Sequence, residues 1–259
     1  MCDKDHFAES VAEYAARGLI TRRQFGVLVA AGVAMTLPDV ANAQAVTERE
    51  VEIKTPDGTA DSYFVHPASG AAAGVLIWPD IFGLRPAMRT MGKRLTQSGY
   101  SVLVVNPFYR VGKPTATGAT PIKEMMAFRK GMNATTDMSD AKAFIAWLDA
   151  QPQVNKNRRV GVQGYCMGGP MSFHTAAAVP GRIGAVASFL IAIAENDDKQ
   201  RPNDKTVLKE TFDKAKLMAE IEVYPAAHGW CPPDTQVYNE PAAERAWSRL
   251  LALYGKALA

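Results

Sequence analysis

Apolar residues fall in two rhythms along this chain, one of strands and one of helices. Around the turn Pro56-Asp57-Gly58, the stretches Val51-Glu52-Ile53 and Ser62-Tyr63-Phe64-Val65 alternate, which predicts a hairpin. Gly74-Val75-Leu76-Ile77-Trp78 is a continuous apolar run, as in a strand covered on both faces, and Ser101 to Val105 reads as another buried strand. Residues 86–98 between them read as a helix, closed by Gly99. From Tyr109 to about Pro121 Gly, Pro and Thr crowd together, which predicts a loop over the rim of the fold's functional end. A helix over 138–148, with Phe144, Ile145, Trp147 and Leu148 as its apolar positions, precedes the strand Val160-Gly161-Val162 and the helix after it. Residues 206–216 read as a helix, Ile221-Glu222-Val223 as a short strand and 242–258 as a closing helix. Strands and helices in alternation predict one α/β domain, a mostly parallel central sheet with helices on both faces.

Composition narrows the function classes. The 259 residues suffice for a sizeable single core, and 47% hydrophobic with 21% charged residues describe an ordinary globular chain. A net charge of +3 without a dense Lys/Arg stripe argues against a nucleic-acid partner. Cys2, Cys166 and Cys231 make no disulfide framework, and no Cys/His spacing suits zinc, so neither metal nor cofactor is expected.

The N-terminal segment stands apart. Thr21-Arg22-Arg23-Gln24-Phe25 leads into an apolar stretch, residues 26–37, too short to span a bilayer. Ala41-Asn42-Ala43 follows as a small-residue cleavage site. Residues 1–43 thus resemble a twin-arginine export signal, leaving 44–259 as the mature periplasmic domain, with no stable membrane association after export. Without working export the same domain would be cytoplasmic.

The chemistry centres on Gly164-Tyr165-Cys166-Met167-Gly168-Gly169, directly after an apolar strand. A strand, a sharp turn with a nucleophile between small residues, and a helix make the nucleophile elbow, here with cysteine at its tip. A thiol nucleophile needs a base, and the base an orienting acid. Only His174 and His228 lie beyond Cys166. His174 falls two turns along the nucleophile helix, whereas His228 follows the last strand, where such sheets gather their chemistry. For the acid, Glu195-Asn196-Asp197-Asp198 ends an apolar run; Asp197 leads and Asp198 is the alternative, with Asn203 the better cap for the next helix. Cys231 reads as a neutral neighbour of the site, and a thiol-redox role with Cys166 lacks C-x-x-C spacing.

From about Val51 onward the chain resembles the dienelactone hydrolase family of α/β hydrolases. Pro79-Asp80-Ile81-Phe82-Gly83, Asn106-Pro107-Phe108-Tyr109, the Cys166 elbow and His228-Gly229-Trp230 carry the resemblance. It implies a Cys166–His228–Asp197 triad that hydrolyses small esters or lactones through an acyl-thioester; a monomer is expected for the chain. It also implies an oxyanion hole at the amides of Ile81 and Met167, and an activating carboxylate at Asp80, where glutamate is commoner and reaches farther. Substrate contacts fall on Tyr109, Arg110 and Trp230. Two arginines that hold the dienelactone carboxylate are replaced by Asn106 and Pro232, which points away from that substrate.

One interval departs from the family. Relatives place two parallel strands and their crossover between the nucleophile helix and the acid, whereas this chain offers only residues 183–194. A crossover alone takes about a dozen residues. The fold is therefore expected to be one strand short there, or to use the run as one long strand. A lost strand displaces its neighbour by about 4.8 Å, and a misplacement near 1 Å can cost about a hundredfold in rate. Asp197 is then expected to miss His228, giving a weakened relative that binds small ligands without efficient turnover.

Overall fold

The computed structural model describes residues 37–113, 120, 122–184 and 188–259. Arg22 and Arg23, on which the expected export signal rests, lie outside them. The hairpin is longer than its apolar pattern suggested. β1 (Val46–Thr55) and β2 (Gly58–Pro67) pair antiparallel along their whole length, Thr55 facing Gly58 at the turn. β3 (Ala73–Trp78), α1 (Pro86–Gln97) and β4 (Tyr100–Val105) form a parallel unit beside β2. Next come α2 (Ile122–Phe128) and α3 (Ala134–Ala150), and β5 (Gly161–Gly164) then returns to the other side of β3.

The resulting five-stranded order is β1-β2-β4-β3-β5. The chain runs outward from β3 to β4 and then back across to β5, so the carboxyl ends of β3 and β5 flank a topological switch point. Open α/β sheets put their ligands there. Side chains of β3 and β4 alternate between two cores. Leu76, Trp78, Leu103 and Val105 pack under Phe144 and Leu148 of α3, while Val75, Ile77, Val102 and Val104 pack under Met88 and Leu95 of α1. Strands covered on both faces have no polar side, which is why their sequence runs are continuously apolar.

Beyond β5 the sheet changes character. α4 (Gly168–Ala178) follows the elbow, and Ile183 then makes a single parallel bridge to Val160. β6 (Ser188–Ala194) comes next, then α5 (Glu195–Gln200), α6 (Asp204–Lys214), β7 (Met218–Tyr224) and α7 (Glu240–Ala257). β6 and β7 pair parallel in a sheet of their own, from Ser188↔Met218 to Ala194↔Tyr224. Among the described residues, the 183–194 run thus supplies one strand and one bridge where two strands were the family pattern. α7 joins the two sheets. Its Tyr254 hydroxyl donates to Gln163 Oε1 on β5 at 3.0 Å, and its Arg245 and Arg249 pair with Glu222 and Glu220 on β7.

Candidate active site

The elbow forms where the pattern placed it, and its geometry explains its glycines. Cys166 holds φ at 51°, in the left-handed region that an ordinary residue enters only at a cost of about 1–3 kcal/mol. A Cβ at Gly164 would lie 1.9 Å from the Gly168 carbonyl oxygen, and one at Gly168 would lie 2.3 Å from that of Trp78. Both positions therefore exclude a side chain, whereas a Cβ at Gly169 would meet nothing within 4 Å. The Tyr165 amide donates to the Trp78 carbonyl at 3.1 Å, which pins the turn against the end of β3.

The register of β6 and β7 brings the other two side chains together. Because Ala194 faces Tyr224, the segments leaving both strands emerge side by side, and the Glu195 amide donates to the Ala226 carbonyl at 2.9 Å. Asn196 Oδ1 accepts from the His228 amide at 2.8 Å, and Asp197 Oδ2 lies 2.8 Å from His228 Nδ1. Asp197 does not miss the histidine. The expected displacement fails because acid and histidine sit on the same small sheet, so a strand lost between β5 and β6 leaves their spacing intact. Asp198 turns elsewhere, its Oδ2 accepting from Lys205 Nζ at 2.7 Å. Both acids lie within α5, and neither caps the following helix. Asn203 does occupy the N-cap position of α6, but without a side-chain capping bond. His174 is 3.0 Å from Asp137 Oδ2 and ties α4 to α3.

Cys166, Asp197 and His228 line one cavity of about 400 Å³, together with Asp80, Trp230 and Cys231. With Nδ1–H donating to Asp197, His228 keeps Nε2 as an acceptor, the tautomer a base toward a thiol requires. Around the cavity the amides of Phe82 and Gly83 donate to Asp80, and those of Gly168 and Gly169 to Tyr165 and Cys166. Ile81 and Met167, the expected oxyanion-hole residues, are buried next to Asp80 and Cys166 of the cavity wall but do not themselves line it. Trp230 is buried and stacks on Tyr224, ring centroids 4.9 Å apart. Apolar surroundings push the Cys231 thiol well above its ordinary value, so it is a poor thiolate former.

Three sequence expectations change. Asp80 reaches the cavity wall, but its two oxygens sit on Arg85, at 2.6 and 3.0 Å. The same guanidinium holds Asp234 at 2.6 and 2.8 Å, clamping the loop after β3 to the segment that follows His228. Tyr109 and Arg110 do not line the cavity. Tyr109 bonds Asp140 and Thr55, each at 2.7 Å, and Arg110 spans Asp57 and Asp140. A carboxylate across the loop captures both side chains, and sequence spacing carried no sign of it. Arg85 was missed as a member of the site, although Asp80-x-x-x-x-Arg85 in a buried loop is a pairing that burial alone would demand.

Comparison with known proteins agrees with this architecture. A carboxymethylenebutenolidase from Rhodococcus opacus is 29% identical over 134 residues, 51% of this chain and 50% of its own. The chain thus spans about half the length of that curated relative. Carboxymethylenebutenolidase 1 from Cupriavidus pinatubonensis is 22% identical over 216 residues, 76% of this chain and 91% of its own. The crystal structure of a dienelactone hydrolase-like promiscuous phosphotriesterase from metagenomic libraries superposes with a TM-score of 0.70 at 20% identity, over 83% of this chain and all of that one. The family model matches in two pieces, residues 60–190 and 187–258, which meet at the start of β6 where the run is short. With nearly the whole described domain matched, the chain belongs to the dienelactone hydrolase family.

Proposed function

We propose that this protein hydrolyses small carboxylic esters or lactones with Cys166 as nucleophile, His228 as base and Asp197 as the acid that orients it. The single observation that carries the reading is the 2.8 Å contact of Asp197 with His228 Nδ1 beside a cysteine in a left-handed elbow. His228 takes the thiol proton, and the sulfur attacks the ester carbonyl while the amides of Ile81 and Met167 hold the developing oxyanion. The C–O bond then breaks, and the alcohol leaves with the proton from His228. Water, deprotonated by the same histidine, attacks the thioester and releases the acid. One donor of an oxyanion hole can be worth about 2.7–4 kcal/mol. Asp80 acts here through Arg85, holding the Ile81 loop in place, rather than by taking the thiol proton.

The test is hydrolysis of p-nitrophenyl acetate with mass analysis of the quenched protein. Wild type should carry an acetyl group on the Cys166 peptide, and iodoacetamide should abolish turnover. Cys166→Ala and His228→Ala should both lose activity, while His174→Ala keeps it within about threefold because its ring is tied to Asp137 and does not line the cavity. Equal losses at both histidines would refute the assignment.

A catalytically weakened relative is the second reading, favoured by the commitment of Asp80 to Arg85. It requires intact folding with no acyl adduct in the same experiment. Export by the twin-arginine route is also proposed, from Arg22-Arg23 and the Ala41-Asn42-Ala43 site, which lies in an exposed turn ahead of β1. Arg22→Lys with Arg23→Lys should hold the precursor in the cytoplasm. Periplasmic protein should begin at Gln44, and an intact Met1 on all soluble protein would rule the export out.

A further inference from the structure

The cavity that contains Cys166 also passes between the two sheets. Its wall takes Ala176 from α4 on one side of β5, and Trp247 and Leu250 from α7 on the other. A pocket on one face of a continuous sheet cannot collect helices from both layers, since the strands stand between them. Here it does, because the outer side of β5 is met by the Val160–Ile183 bridge, and β6 pairs with no described strand except β7. Val162 of β5 and Ile191 of β6 face the cavity across this passage. The family match breaks into two pieces at the same point, residues 187–190.

We infer that the passage takes the hydrocarbon chain of the substrate's acyl group, so that the enzyme's class of substrate is esters of unbranched, medium-length carboxylic acids. This rests on Cys166 as the nucleophile, because the acyl carbon bonded to its sulfur fixes where the chain must begin. The passage offers little to a charged acyl group. Among the described residues Arg94 is the one arginine or lysine of its wall, and both its terminal nitrogens are held by Glu244, at 2.6 Å each. A carboxylate carried on the acyl group would lose its water there and meet an arginine already neutralised by Glu244, with only the buried Arg94 Nε–H left to donate. A methylene chain loses nothing and leaves water, tightening binding by about threefold to fourfold for each group buried. A volume near 400 Å³ lies within the range of small-molecule pockets. Ala176 stands about 12 Å along α4 from its first residue, so the chain has room to extend past the catalytic groups.

The test uses the full chain and two readouts. Wild-type kcat/KM on p-nitrophenyl esters from acetate to dodecanoate should rise about threefold per methylene up to roughly eight carbons. Ala176→Trp should lower the decanoate-to-acetate ratio at least tenfold. Independently of turnover, millimolar decanoate should raise the melting temperature of Cys166→Ala by several degrees while acetate does not. A flat or falling ester series without a decanoate shift would overturn the inference, and acetate hydrolysis through Cys166 would still stand. Decanoate stabilisation with no ester hydrolysed would support the passage as a chain site and refute the nucleophile reading instead.

Discussion

Cys166 can hold its left-handed backbone because its neighbours at 164 and 168 have no side chains to place. Backbone atoms, which cannot swing aside, would receive the added Cβ at either position. Gly164→Ala is therefore expected to cost at least about 3 kcal/mol, or to prevent folding, whereas Gly169→Ala should be close to neutral. Urea midpoints of the two variants check this, and equal midpoints would refute it. The elbow was legible because its requirement is local: a turn of that shape admits few residue types, and they follow one another in the chain. The Asp197 carboxylate was less legible. Asp197 and Asp198 are chemically identical and adjacent, and only the presence of Lys205 for one and His228 for the other separates them.

At the scale of elements, the site depends on a clamp between two loops. Arg85 is almost wholly buried and bonds two carboxylates, Asp80 from the loop after β3 and Asp234 from the segment after His228. Burial raises the Asp80 carboxyl, and the Arg85 charge opposes it. Removing one partner of a buried pair leaves the other charged and uncompensated, at about 3–5 kcal/mol. Arg85→Met, which strands Asp80, should destabilise strongly, and Asp80→Asn less because Asp234 still holds Arg85, while the double variant loses less than the sum of both. A denaturation double-mutant cycle measures this, and strict additivity would contradict the clamp. Element positions were largely legible from apolar rhythm, and their ends were not. α3 begins at Ala134 rather than 138, because Asn133 accepts from the amides of Thr135 and Thr136 and starts the helix in a polar stretch. α2 and α5 were missed, as both are short and carry no usable apolar repeat.

At the scale of the molecule, the nucleophile and its partners ride on different sheets. Cys166 follows β5 of the larger one, while Asp197 and His228 follow β6 and β7 of the smaller. Counting residues in 183–194 pointed to one strand too few or to one long strand, and among the described residues the run gives one strand and one bridge; the consequence was misjudged, because sequence spacing does not reveal that acid and histidine move together. What holds the two sheets in register is α7, through Tyr254 on β5 and Arg245 and Arg249 on β7. Whether the shortened chain still works as an enzyme turns on that assembly. The most direct measurement is the ratio of wild-type to Asp197→Asn kcat/KM on one activated ester. An asparagine in place of a working triad acid presents the wrong histidine tautomer, so a drop of about a thousandfold or more is expected, with Asp198→Asn within a few-fold of wild type. An Asp197→Asn enzyme that keeps most of the wild-type rate would contradict the triad.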